Sequence, residues 1–192
     1  MIYDPQKHQR RLIRLQGYDY SQPGAYFVTI CTYNGVLLFE DEAIRTIAER
    51  CWLEIPHHFT TVELDEWVVM PNHLHGIVAI VDDGRGTACR APTPIYERFG
   101  KPTSGSLPTI VRSFKSAATK RINQMRHTPG APLWQRNYYE HIIRNEDELN
   151  RLREYILDNP VQWEMDENNP NRQMDASSYH KAFSTGMVGA PR

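Results

Sequence analysis

Apolar positions along the chain switch between a period of two and a helical period, and each switch marks an element. Ala25 to Tyr33 (AYFVTICTY) is rich in aromatic and β-branched residues and reads as a strand, with Gly24 and Asn34-Gly35 as punctuation. Val36 to Phe39 reads as its continuation or as a segment pairing with it. From Asp41 to about His58 the apolar residues Ile44, Ile47, Ala48, Cys51, Trp52 and Ile55 recur at helical spacing, and the acidic Glu40-Asp41-Glu42 suits a helix N-terminus. Val62 to Met70 and Leu74 to Val81 are short apolar stretches separated by Pro71-Asn72, the pattern of an antiparallel hairpin. Residues 82–105 are dense in Gly, Pro, Thr and Ser and read as a long surface or binding loop.

Ser106 is placed to cap a helix from Leu107 to about Met125, with Pro108 in its first turn and Ile110, Val111, Phe114, Ala117, Ala118 and Ile122 as its buried stripe. Leu133 to Arg144 has strand-like composition. Asn145 then caps a last helix, Glu146 to Asp158, which Pro160 ends. The order strand, helix, strand, strand, helix, strand, helix predicts an α+β fold: a ferredoxin-like βαββαβ antiparallel sheet with an appended C-terminal helix. The expected division is a basic N-terminal arm over 1–24, one catalytic domain over 25–163 and a loose tail over 164–192.

Composition narrows the class. A chain of 192 residues, 40% hydrophobic and 23% charged, suits one well-buried globular domain. No apolar run approaches the roughly 20 residues that span a bilayer, and the N-terminus lacks the apolar stretch of a secretory signal, so a cytoplasmic location is expected. Cys31, Cys51 and Cys89 are far apart and form no CxxC pair, so a metal would rely on His, carboxylate or amide ligands. The net charge of −1 conceals an asymmetry. Arg112, Lys115, Lys120, Arg121, Arg126, Arg136 and Arg144 face only Glu140 within 106–144, whereas the chain beyond 145 is acidic. That distribution suits a protein with one basic surface for a phosphate backbone, and equally a solvated helix face followed by an acidic tail.

The chemistry-bearing residues begin with His73 and His75 at the start of the second hairpin strand. Residues two apart on a strand share a face, about 7 Å along the backbone, so both imidazoles can address one divalent cation while Leu74 faces the core. An HxH triplet alone is weak evidence, and a third ligand is needed. Tyr155 and Asn159 lie one helical turn apart on the last helix; an amide oxygen is a ligand for a hard cation, and the phenol would sit beside it. Tyr155 also continues the stripe Leu149, Leu152, Ile156 as a core tyrosine would, and Asn159 before Pro160 also reads as a plain helix terminator. Tyr138 and Tyr139 are competing nucleophile candidates, one expected to face the core and the other placed to stack on a base. Glu140 and His141 suit packing or support of the site, and His57-His58 suit the end of the first helix.

The strings WVVMPNHLHGIVAIV, LWQRNYYEHIIRNEDELNRLREYILDNP and RRLIRLQGYDYSQPGAYFVTICTYN resemble the single-tyrosine HUH transposases of the IS200-like type, most closely the REP-associated tyrosine transposase group, from about Arg10 to Trp163. The resemblance implies that His73-Leu74-His75 is the HUH motif, that Tyr155 is the nucleophile and that Asn159 completes a site for Mg²⁺ or Mn²⁺. Classical insertion-sequence members usually have Gln in the third position, and Asn159 agrees with the REP-associated branch. The implied activity is metal-dependent nicking and rejoining of single-stranded DNA through a 5′-phosphotyrosine, with recognition of hairpins and, in classical members, action as a homodimer. The phosphodiester is exchanged rather than hydrolysed, which agrees with the lack of a GxxxxGK[ST] loop. Phosphate contacts are expected from Arg10, Arg11 and Arg14 in the arm, Arg112, Lys115, Lys120 and Arg121 on the second helix, and Arg136. A ferredoxin-like nucleic-acid-binding module without catalysis and a metal nuclease that uses water are the competing readings.

Overall fold

In the computed structural model the described residues are 15, 18–82, 103–166 and 168–172. The arm residues Arg10, Arg11 and Arg14 and most of the 82–105 loop lie outside them. The elements run β1 (Gly24–Cys31), α1 (Glu42–Leu53), α2 (Ile55–His58), β2 (Val62–Met70), β3 (His73–Ile80), α3 (Leu107–Met125), β4 (Tyr139–Ile143) and α4 (Glu146–Asp158). The strands form one antiparallel sheet in the order β2-β3-β1-β4, the expected α+β arrangement. No helix among the described residues is long and apolar enough to cross a membrane.

Four local expectations need correction. Val36 to Phe39 adds no strand: the chain turns through Tyr33–Gly35, where Asn34 (φ 54°) and Gly35 (φ 67°) are left-handed, and then through a second short turn, Leu38–Glu40. That conformation ends β1 because it cannot continue an extended ladder. The first helix divides after Leu53, and Pro56 stands in the first turn of α2. Ser106 does not cap α3 with its side chain; its hydroxyl donates to the carbonyl of Thr103 instead. In the 133–144 segment only Tyr139–Ile143 joins the sheet, with Trp134 forming a single bridge to Thr32.

The two sheet faces differ. Tyr26, Val28 and Ile30 of β1 and Leu74, Val78 and Ile80 of β3 point toward α1 and α3 and form the main core with Trp52 and Phe114, whose rings meet edge to face at 5.2 Å. Gly76 lies beneath the Trp52 ring; a Cβ there would sit 2.4 Å from the indole, so only glycine permits this approach. The opposite face carries a much smaller cluster, in which Phe27 and Ile77 meet Ile156 of α4. On β2 the alternation slips by one residue between Leu64 and Trp67, so that both pack toward the main core although they are three apart. Asp65-Glu66 forms the resulting bulge. Tyr20 is buried in the main core ahead of β1.

Candidate metal centre and tyrosine site

His73 and His75 occupy adjacent same-face positions at the start of β3, and Leu74 between them is buried in the main core as the strand period requires. Both imidazoles are buried, and their Nε2 atoms lie 2.9 Å apart. The hydrogen-bond network fixes one tautomer. The Asn72 amide nitrogen donates to the carbonyls of Gly35, at 3.2 Å, and Asn168, at 2.6 Å, so its oxygen is the acceptor for Nδ1 of His73 at 2.8 Å. Nδ1 of neutral His73 therefore carries the proton, and Nε2 presents a lone pair toward His75. The Thr29 hydroxyl, 2.8 Å from Nδ1 of His75, serves either tautomer of that ring. His75 can thus donate from Nε2 to His73, or, with Thr29 accepting from Nδ1, could offer its Nε2 lone pair to a cation alongside that of His73.

Burial pushes both histidines below their ordinary range, and for His75 the neighbouring His73 adds to the effect. They are accordingly neutral at physiological pH, the form in which imidazole binds metal. Asp166 brings a carboxylate to the pair, with Oδ2 3.9 Å from Nε2 of His73, and one ligand atom from each of His73, His75 and Asp166 lies within 4.8 Å of the others. The side-chain oxygen of Asn159 is buried with no hydrogen-bond partner. A buried amide oxygen without a donor is costly unless something positive satisfies it. Two imidazoles and a carboxylate with ligand atoms this close are chemically suited to a divalent cation, and an amide oxygen such as that of Asn159 is of a type such a cation accepts.

Tyr155 lies one turn before Asn159 on α4. Its hydroxyl is 3.4 Å from Nε2 of His75, and its ring packs edge-on against His75 at 5.3 Å and Phe27 at 6.0 Å. It is 46% exposed, so it is not the core tyrosine that the stripe Leu149, Leu152, Ile156 also allowed. Of the competing tyrosines, Tyr138 packs against the main core and Tyr139 against Phe27. His141 pairs with Glu148 at 2.8 Å across the β4–α4 junction.

The basic residues separate. Arg112, Lys115, Lys120 and Arg136 line a groove of about 840 Å³ between α3 and the 129–138 segment, with Trp134 and Tyr138. Lys115 is directed inward: its ammonium donates to the carbonyls of Gln135, Arg136 and Asn137, and burial lowers its pKa to about 8. Arg121 makes a bidentate pair with Glu54, the residue between α1 and α2.

Asp166 is the residue that sequence reading missed. It follows the last periodic helix in a polar run, and nothing in its local pattern marks it. Its place depends on the chain turning back after α4 through the short helical turn Trp163–Met165, where Asn168 reaches Asn72 and Trp163 lies 6.1 Å from the His73 ring.

No family profile matches the chain. An uncharacterised protein of Haemophilus influenzae is 39% identical over 175 residues, spanning 86% of this chain and 96% of its own length. A second protein of that organism, named "Putative REP-associated tyrosine transposase", is 24% identical over 144 residues, spanning 74% of this chain and 73% of its own. Among solved structures, a REP-associated tyrosine transposase bound to a REP hairpin superposes with a TM-score of 0.54 at 19% identity, over 78% of this chain and 72% of that one. The resemblance first carried by three sequence strings is thus met again in overall sequence and in fold.

Proposed function

We propose that this chain, which belongs to one family with the 39% identical Haemophilus influenzae protein and has the fold of a REP-associated tyrosine transposase, nicks and rejoins single-stranded DNA beside hairpins, with Tyr155 as nucleophile. The observation that carries the reading is the hydroxyl of the half-exposed residue Tyr155, 3.4 Å from one of two buried, neutral imidazoles whose Nε2 atoms converge. A phenol titrates near 10 and is a poor nucleophile at neutral pH, so it needs an electrophilic phosphorus held in line with it.

His73, His75 and Asn159, joined by Asp166, would hold Mg²⁺ or Mn²⁺, which when bound supplies positive charge to a non-bridging oxygen of the scissile phosphate. Tyr155 forms the bond from its oxygen to phosphorus while the bond from phosphorus to the 3′ oxygen breaks. The phenolic proton is balanced by the proton gained on the released 3′-hydroxyl. The fragment on the 3′ side of the break stays on the protein through its 5′ phosphate as a phosphotyrosine, and a second 3′-hydroxyl reverses the exchange without ATP. Arg112, Lys120 and Arg136 in the α3 groove, with Arg10, Arg11 and Arg14 of the arm, would contact phosphates.

The test is incubation of labelled single-stranded hairpin oligonucleotides with the protein and Mn²⁺, resolved on a denaturing gel beside Tyr155→Phe. A covalent adduct that the variant lacks is the expected result. Binding without an adduct would favour the non-catalytic module, and cleavage that leaves a free 5′-phosphate would favour the water-using nuclease.

A further inference from the structure

The helix that carries Tyr155 has a narrow footing. Ile156 is the buried residue of α4, and it meets only the small cluster around Phe27 and Ile77, with Leu149 and Leu152 partly covered beside it. At 100° per residue, Arg153 and Tyr155 are about 160° apart around the helix, so they flank this apolar stripe on opposite sides. Arg153 reaches β2, where Nε lies 3.0 Å from Oδ1 of Asp65 and Nη2 lies 2.6 Å from Oδ2. Asp65 stands in the bulge of that strand, and its Oδ1 also accepts from the Glu66 amide at 2.7 Å. The same arginine is braced along its own helix by Asn150 at 3.0 Å.

We infer that Asp65 and Arg153 are positioning residues: a bidentate latch from the β2 bulge to one flank of α4 that sets the helix rotation and thereby the place of Tyr155 on the other flank. The inference rests on Tyr155 acting as nucleophile. Alternation from the core-facing Leu64 turns Asp65 toward α4, and the bulge then brings Trp67 back to the main core, which an unbroken strand could not do. The fork geometry of an arginine on a carboxylate fixes direction as well as distance. A phenol oxygen roughly 9 Å from the helix axis moves about 1.5 Å for each 10° of rotation. Misplacement of about 1 Å can cost roughly a hundredfold in rate. The pair is partly exposed, so its contribution to global stability is small beside its effect on orientation.

The test compares Asp65→Asn, Arg153→Gln and the exchanged double variant Asp65→Arg/Arg153→Asp with wild type, in Mn²⁺-loaded full-length protein. Three quantities are read: the single-turnover rate of adduct formation at saturating hairpin DNA, the Kd for that DNA, and the ¹⁹F signal of 3-fluorotyrosine at position 155 without DNA. The expected result is a rate reduced roughly 10- to 100-fold in each single variant, Kd within about twofold of wild type, a displaced ¹⁹F signal, and partial recovery of rate and signal in the double variant. Unchanged rate and signal would overturn the latch. So would a loss of DNA affinity matching the loss of rate, which would signal general disruption. Should wild type form no adduct, the nucleophile assignment fails by itself, and the ¹⁹F comparison still decides whether the pair positions Tyr155.

Discussion

The two faces of the sheet divide the labour of the molecule. Beneath α1 and α3, large side chains from three strands and two helices interlock, with Trp52, Phe114, Tyr26 and Phe39 all fully buried. Beneath α4, three buried residues suffice, and the surrounding space is given to His73, His75, Thr29 and Tyr155. β3 serves both faces at once, because its period of two sends Leu74 and Val78 to the core and His73 and His75 to the site. A packed core and two firmly held imidazoles therefore share one strand register, while Tyr155 faces them from the lightly anchored α4. The comparison suggests where stability resides and where motion is allowed.

The sharpest way to break this division is to delete a large side chain on each face. Phe114→Ala should lower global stability by about 3–5 kcal/mol, the range for emptying a packed aromatic site. Ile156→Ala should act locally: amides of α4 exchange faster in hydrogen–deuterium measurements, while those of β1 and β3 change little. If Ile156→Ala lowered the urea midpoint as much as Phe114→Ala, α4 would be part of the cooperative core, and the division would fail.

The core face was largely legible in the sequence, and the site face only in part. The ranges of β2, α3 and α4 follow from local periodicity and caps; Asn145 caps α4 through the Glu148 amide as its sequence position indicates. The convergence of His73 and His75 also follows from a local rule, the period of a strand. What escaped depends on distant partners. Val36 to Phe39 looks strand-like, but Asn34 and Gly35 have already turned the chain, and Phe39 is buried beside Trp134 instead. Asp166 reaches His73 only because the chain folds back after α4, and Asp65 meets Arg153 only because α4 packs back against β2. No periodicity within one segment encodes a contact between residues 88 positions apart.

An intermediate effect is expected from the dry environment of the histidine pair. Burial holds both pKa values below the ordinary one in the metal-free protein, while in the unfolded chain each titrates near 6.5. As pH falls through 6.5 the unfolded chain takes up protons that the folded state refuses, so stability decreases with acidification. Urea titrations in EDTA at pH 7 and 5.5 should show a loss of about 1 kcal/mol per histidine. Replacing His75 by Gln should flatten the dependence. A wild-type stability independent of pH over this interval would mean that the imidazoles are hydrated, and the contrast between a dry site and an exposed tyrosine beside it would be lost.

The smallest effect concerns the outer surface of the core face, where Arg121 and Glu54 tie α3 to α1 at 2.7–2.8 Å while both remain well exposed. Exposed pairs are worth less than about 1 kcal/mol and weaken in salt, so Arg121→Ala should shift the urea midpoint only slightly, and less still at high ionic strength. Its use is as a control for the proposed DNA binding. Because its guanidinium is turned toward α1, removing it should leave hairpin affinity within about twofold, whereas Arg112→Ala or Arg136→Ala in the groove should weaken binding and reduce the salt slope by about one. Fluorescence anisotropy across a salt series separates the two classes. Equal losses for Arg121 and Arg136 would extend the nucleic-acid surface across α3 to α1, and the core face would then share in recognition as well as in stability.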